Sequence, residues 1–263
     1  MSRRLGGGDD DTAAAAFFDL DRTLIRRSST HALAGPLRRQ GVITRWQVAR
    51  SAFWHLAFAA GRLSADRVRE ATAIGLGTLA GFSVDELRSV VGDSMESVLR
   101  PLVYAEPLRL VETHRARGER VYVVSGSLQE VVEHVATDLG FDGAIGSQCE
   151  IVDGRYTGKP LRIALGEEKA EALRELAGRD GFDLAACTAY SDSMGDLPFL
   201  EAVGHPVAVN PDPALRRTAR ERGWPVLEFG ELLEPGPARG LPTVALAVPF
   251  VAGVWAAARR RAA

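Results

Sequence analysis

From Arg120 onward the chain alternates short apolar runs with helix-patterned segments, and this alternation narrows its fold more than any other feature. Arg120-Val121-Tyr122-Val123-Val124 reads as a buried strand, followed by Ser125-Gly126-Ser127 and a helix over 128–139. Ala144-Ile145 and 149–152 predict short strands, with a turn at Asp153-Gly154. A charged helix over 166–177 precedes a buried strand over 184–190, which ends at Ser191-Asp192. A helix reaching Val203, a strand at Val207-Ala208-Val209, a helix over 213–221 and a short strand at Val226-Leu227 complete the series. Strands joined by helices form a parallel sheet covered on both faces, because a crossover lays its helix back on the sheet. Such strands are apolar throughout rather than alternating.

One strand stands apart. Residues 13–20 form a run of small and aromatic residues that ends in acidic ones, and the next strand begins only near Arg120. Between them, Trp46, Phe53, Leu56 and Ala60 recur at helical spacing, Gly61 and Gly81 interrupt, and Ser64 and Ser83 suit helix N-caps. Ser83-Val84-Asp85-Glu86 has the form of a capping box. No strand is expected here. The predicted architecture is α/β: a doubly wound, mostly parallel, Rossmann-like sheet made of 13–27 and 118–232, with an α-helical cap over 28–117 inserted after the first strand. Residues 1–12 read as a disordered leader, since Gly6-Gly7-Gly8-Asp9-Asp10-Asp11 stands where a signal peptide would be apolar. Residues 233–263 read as a linker and an apolar helix with a basic end. No charge occurs from Gly240 to Ala258, and Arg259, Arg260 and Arg261 follow. Segment 240–261 therefore docks or self-associates, or else makes a peripheral membrane contact. A span is disfavoured by Pro242, Pro249 and the positive-inside tendency.

The formal net charge of -2 gives no reason to expect nucleic acid as a partner. Two cysteines, Cys149 and Cys187, form neither a disulfide framework nor a zinc site, and they suit a reducing cytoplasm. Lys159 and Lys169 are the only lysines among 32 basic residues, so each marks a place where a compact ammonium is favoured over arginine.

Ligands of open α/β sheets bind beyond the carboxyl ends of the strands. Three predicted strands end in reactive groups: Phe17-Phe18-Asp19-Leu20-Asp21-Arg22-Thr23, Val124-Ser125-Gly126-Ser127, and Tyr190-Ser191-Asp192-Ser193-Met194-Gly195-Asp196. Taken singly, an Asp-x-Asp pair is ordinarily a turn or cap, and Ser-Gly-Ser a loop. Together they gather carboxylates that repel one another unless a cation neutralises them. Oxygen donors without histidine or cysteine suit Mg²⁺. A serine hydroxyl and glycine-turn amides suit an anion, and a lysine beside them suits an electron-rich transition state.

In these residues the chain resembles the haloacid dehalogenase superfamily of phosphohydrolases, and within it the phosphoserine-phosphatase-like branch. The resemblance covers about 14–230. It implies an Mg²⁺-dependent phosphatase that cleaves a small organic phosphomonoester through an aspartyl phosphate. It implies Asp19 as nucleophile, Asp21 as general acid and base with its carbonyl on the metal, and Thr23 tying the first loop by hydrogen bonds. It further implies Ser125 and Gly126 on the phosphate, Lys169 on the phosphate and Asp19, Asp192 as metal carboxylate, and Asp196 orienting Lys169 or metal-bound water. From the residues alone, the lesser readings are that Asp21 is a metal carboxylate, Thr23 an ordinary turn residue, and Lys159 a rival to Lys169. Departures fall on the substrate side. Ser28 stands where the branch carries a glutamate for the substrate amino group. Thr72, near Arg67 and Arg69, aligns with its cap arginine, and Gly195 replaces an asparagine. Phosphoserine is therefore not implied as the substrate. Arg26 and Arg27 could bind a second anionic group or be solvated cap residues. Trp46, Phe53, Trp54 and Phe58 could line an apolar pocket or pack a cap helix, and a lipid-phosphate substrate or a non-hydrolytic phospho-ligand-binding regulator are the alternative functions.

Overall fold

The computed structural model describes residues 13–41 and 65–233. The expectations for the leader, for Ser64 and the four aromatic residues of 46–58, and for segment 240–261 lie outside these residues. Among the described residues, no helix is long and apolar enough to cross a membrane.

The chain order is β1 (Ala15–Phe18), α1 (Ser29–Arg39), α2 (Ala65–Gly77), α3 (Val84–Ser94), α4 (Ala105–Arg115), β2 (Arg120–Leu128) and α5 (Gln129–Asp138). Then follow β3 (Gly143–Val152), β4 (Arg155–Arg162), α6 (Glu167–Asp180), β5 (Thr188–Ser191), α7 (Leu197–Glu201), β6 (His205–Val209), α8 (Pro213–Arg222) and β7 (Val226–Leu227). The 7-stranded sheet runs β4-β3-β2-β1-β5-β6-β7. Every pair is parallel except β3 with β4. The chain leaves β1 toward β2 on one side and reaches β5 on the other. The strand order therefore reverses at β1, where such sheets open a crevice for ligands.

The period-2 geometry of β1 sends Ala16 and Phe18 to one face and Ala15 and Phe17 to the other, and all four are fully buried. On the first face Phe18 stacks on Tyr190, with centroids 4.4 Å apart, and packs with Val111 of α4 and Val132 of α5. On the second, Phe17 and Val124 pack with Leu173 of α6, Phe199 of α7 and Leu215 of α8. Each buried aromatic ring contributes roughly 1.5–3 kcal/mol relative to exposure. Helix α4 covers β1 and β2 directly. Helix α3 packs on α1 and α5, and α2 packs on the edge strand β4.

The hairpin β3–β4 carries these helices. Its turn is Asp153-Gly154, with φ of 49° and 72°, the left-handed pair that a tight two-residue hairpin requires. The edge of β4 is occupied by the segment before α3. Tyr156 N–H donates to Phe82 O at 3.0 Å, and Gly81 N–H to Tyr156 O at 2.7 Å. Ser83 caps α3 by accepting from Glu86 N–H. β3 is one strand of 10 residues rather than two short ones, and β4 was not anticipated.

Candidate active site

Asp19 follows β1 directly, and its N–H donates to the Tyr190 carbonyl at 2.9 Å, so the sheet ladder fixes its backbone. The chain then turns sharply. Leu24 and Ile25 both donate to Leu20 O at 3.0 Å, and Arg22 N–H donates to Ile25 O at 2.7 Å. Closing this loop places Arg22 at φ 66°, a left-handed conformation rare outside glycine, asparagine and aspartate. Thr23 lies inside the loop, fully buried, and its hydroxyl has no hydrogen-bond partner among the described residues. Backbone bonds, not the Thr23 side chain, tie the loop. Asp21 points to the start of α1, where its Oδ1 accepts from Ser29 N–H at 2.8 Å. A carboxylate is favoured there by the positive end of the helix dipole.

Lys169 lies in the first turn of α6 and reaches inward. Its Nζ donates to Asp19 Oδ1 at 2.6 Å and to Asp196 Oδ2 at 2.7 Å, and the residue is only 1% exposed. It also lies 4.6 Å over the Phe199 ring, whose negative face favours a cation. Asp196 Oδ2 takes a further bond from Ser191 Oγ at 2.6 Å. The other lysine, Lys159, sits exposed on β4 and pairs with Glu150. The structure thus brings Lys169, not Lys159, to Asp19.

Asp192, one residue past β5, is buried and pairs through Oδ2 with Arg22 Nε at 2.8 Å. Its loop is fastened by Asp212, which the sequence reading passed over. Asp212 N–H donates to Asp192 O at 2.8 Å, and its Oδ2 accepts from Met194 N–H at 2.8 Å. Its Oδ1 caps α8 through Ala214 and Leu215 N–H. The available signal was an Asp-Pro pair opening a helix, which reveals the cap but not the clamp.

Across the crevice, Ser125 is buried at the end of β2, and its Oγ accepts from Ser127 N–H at 3.2 Å. Ser127 Oγ meets Ser29 Oγ at 2.7 Å, which joins the β2 loop to the first turn of α1. At Gly126 an added Cβ would stand 2.5 Å from Leu165 Cδ2, so any side chain here would have to displace the Leu165 side chain of the segment before α6.

Burial pushes the Asp19 carboxyl up to about 7; Lys169 works against this, and Asp196 and Asp21 add to it. Burial also raises Asp192 well above the carboxylate range, the Asp19 charge adding and Arg22 opposing. Burial alone would lower Lys169, but Asp19 and Asp196 overcome it and hold the ammonium charged. Two buried carboxylates that repel each other are the environment a hard divalent cation relieves. Asp19 and Asp192 fit such an ion in type and charge. The Asp21 carboxylate is already engaged by Ser29, and no group of three metal-ligating side chains is gathered among the described residues.

A buried carboxylate at a strand end, bridged by a lysine and flanked by acidic loops at the switch point of a parallel sheet, suits phosphohydrolase chemistry. Residues 16–201 match the haloacid dehalogenase-like hydrolase family, and the chain belongs to it. It is a hydrolase of the phosphatase type and falls with the phosphoserine-phosphatase-like branch. A probable phosphatase of Mycobacterium tuberculosis is 41% identical over 85% of this chain and 78% of its own length. The inhibition of morphological differentiation protein of Streptomyces azureus is 40% identical, with 94% of each chain covered. A phosphoserine phosphatase of M. tuberculosis is 34% identical over 93% of this chain and 80% of its own. A solved Bordetella pertussis protein of unknown function superposes with a TM-score of 0.72 at 32% identity, covering 82% of this chain and 98% of that one. The hydrolase mechanism supported for this family runs through an aspartyl phosphate, and membership implies a divalent metal.

Proposed function

We propose that the chain is an Mg²⁺-dependent phosphatase of small organic phosphomonoesters, with Asp19 as nucleophile. The observation that carries this reading is the Lys169 ammonium bridging Asp19 and Asp196 at 2.6 and 2.7 Å in a buried site. Asp19 attacks phosphorus, the ester P–O bond breaks, and Asp21 protonates the leaving oxygen. With Oδ1 accepting from Ser29 N–H, Oδ2 of Asp21 is the oxygen that carries this proton. Asp21 then takes a proton from water, which attacks the phosphorus of the aspartyl phosphate and releases phosphate. Ser125 and the Gly126 amide hold the phosphoryl oxygens, and Lys169 offsets their charge in the transition state. Asp19, Asp192 and the Asp21 carbonyl would hold Mg²⁺, which supplies charge stabilisation to the phosphoryl group when bound. Asp196 orients Lys169. Thr23 keeps its place as a buried filler of the first loop.

Helices α1 to α3 act as the cap over this crevice, and the cap sets the substrate. Two buried free cysteines support a cytoplasmic setting. The Streptomyces relative, named for inhibiting morphological differentiation, favours a second reading in which the site governs cell behaviour by binding a phospho-ligand. The test is phosphate release from a panel of phosphoserine, sugar phosphates, glycerol phosphates and lysophosphatidic acid, in Mg²⁺ and in EDTA. Release that needs metal and vanishes in Asp19→Asn is expected. Release from no member, or release indifferent to Asp19→Asn, would transfer support to the binding reading.

A further inference from the structure

The first loop holds Arg22 where a glycine would be unstrained. A left-handed arginine costs roughly 1–2 kcal/mol, so the side chain has to do something that glycine cannot. The guanidinium pairs with Asp192 through Nε at 2.8 Å, yet the side chain is 47% exposed, against 5% for Asp192. Apart from this ion pair, its guanidinium has no hydrogen-bond partner among the described residues, which leaves donors on the Nη side unspent. Arg26 and Arg27 follow on the same loop, both exposed and neither ion-paired with a described residue. The backbone of Arg26 is fixed by its N–H bond to Leu102 O at 2.8 Å. Arg22 and Arg26 are thus two exposed cationic side chains of one short loop, with Arg22 held on the buried Asp192, and Ser28, after Arg27, carries no charge.

On the reading of the site as a phosphatase, we propose that Arg22, assisted by Arg26, binds a second anionic group on the leaving-group side of the substrate, a carboxylate or a further phosphate, and so selects esters of acidic alcohols. Anchoring by Asp192 fixes the fork of Arg22 and lowers the entropy lost when the anion arrives. A neutral or cationic alcohol portion finds no complementary charge on this side.

The test compares phenyl phosphate with 4-carboxyphenyl phosphate, reading within each variant the ratio of the two kcat/KM values, so that any common effect on the reacting centre cancels. Wild type should favour the carboxylated ester by about ten-fold or more, the size of a charge-assisted hydrogen bond. Arg22→Gly, which suits the backbone at φ 66°, should bring the ratio within about two-fold of unity, and Arg26→Gln should lower it by a smaller factor. A ratio near unity in wild type, or one unchanged in Arg22→Gly, overturns the proposal and leaves Arg22 to the transferred phosphoryl group or to Asp192 alone. Calorimetric titration with benzylphosphonate and 4-carboxybenzylphosphonate repeats the comparison without turnover. If no ester is cleaved, the phosphatase reading falls, while unequal or equal binding of the two phosphonates still upholds or overturns the anion subsite.

Discussion

Replacing Lys169 by methionine keeps most of the side-chain volume and removes the ammonium that bridges Asp19 and Asp196. Both carboxylates are buried, and the lysine is 1% exposed, so solvent cannot take over its charge. Removing one partner of a buried ion pair costs about 3–5 kcal/mol, which for a chain of this size corresponds to a fall in Tm of about 10 °C. The loss depends on pH, and the sign follows from Asp19. Its carboxyl is raised to about 7 even while Lys169 opposes the shift, so without the lysine it rises further. A carboxyl raised in the folded state contributes stability that is full below its unfolded value near 4 and is lost as pH rises through the folded value. The variant is thus worst at pH 8, where folding must bury two anions or bind a proton. It recovers toward wild type near pH 5, where a proton replaces the ammonium. Urea unfolding in EDTA, followed by tryptophan fluorescence at both pH values, measures the difference. Adding Asp19→Asn to Lys169→Met should recover about 2 kcal/mol at pH 8, as expected for coupled partners in one network. A loss equal at pH 5 and pH 8, with no recovery in the double variant, would refute the argument that the lysine serves as buried counter-charge.

Two further outcomes test the scaffold. Asp212→Ala removes both the cap of α8 and the hold on Met194 N–H, so stability should fall by about 1–2 kcal/mol, and the Mg²⁺ concentration for half-maximal phosphate release should rise as the Asp192 loop loosens. Gly126→Ala pushes on Leu165 Cδ2, the end of a rotatable side chain, whereas Gly204→Ala would place its Cβ 1.8 Å from the Ala185 carbonyl oxygen. The first should cost about 1–3 kcal/mol and be relieved by Leu165→Ala, while the second should be the more destabilising in denaturant unfolding and find no such relief.

How far this architecture is legible in the sequence depends on whether a signal is local. The run Ala15–Phe18 ending at Asp19, and the run 120–124 ending at Ser125-Gly126, announce strands and their functional ends. Apolar residues on both alternating faces leave no other economical reading. β4 was not legible. Arg155–Arg162 includes Gly158 and Pro160 and exposes alternate residues. It is a strand because β3 pairs on one side and the Gly81–Val84 segment on the other. β3 looked broken at Gly146, where the strand continues and the missing Cβ makes room for Gln129 backbone atoms that would lie 2.6 Å from it. Helix α4 shows the same limit at the level of layers. Its pattern is that of any amphipathic helix, and only tertiary packing shows that it covers β1 and β2 rather than joining α1 to α3.

The site divides along the same line. Asp19, Asp21, Ser125, Asp192 and Asp196 stand out as candidates in the sequence because each ends a strand or follows one closely, and strand ends converge wherever a parallel sheet reverses its order. Lys169 could be ranked above Lys159 by its place at a helix start, but its double bond to Asp19 and Asp196 joins residues 150 and 27 positions away. The pairing of Arg22 with Asp192 is as remote in sequence, and the left-handed backbone that aims it follows from how the loop closes, not from residue type. Motifs at strand ends thus mark the candidate reacting groups through local signals. The Arg22–Asp192 contact joins segments far apart and carries no such local signal, so the anion subsite proposed for it follows only from how the loop folds.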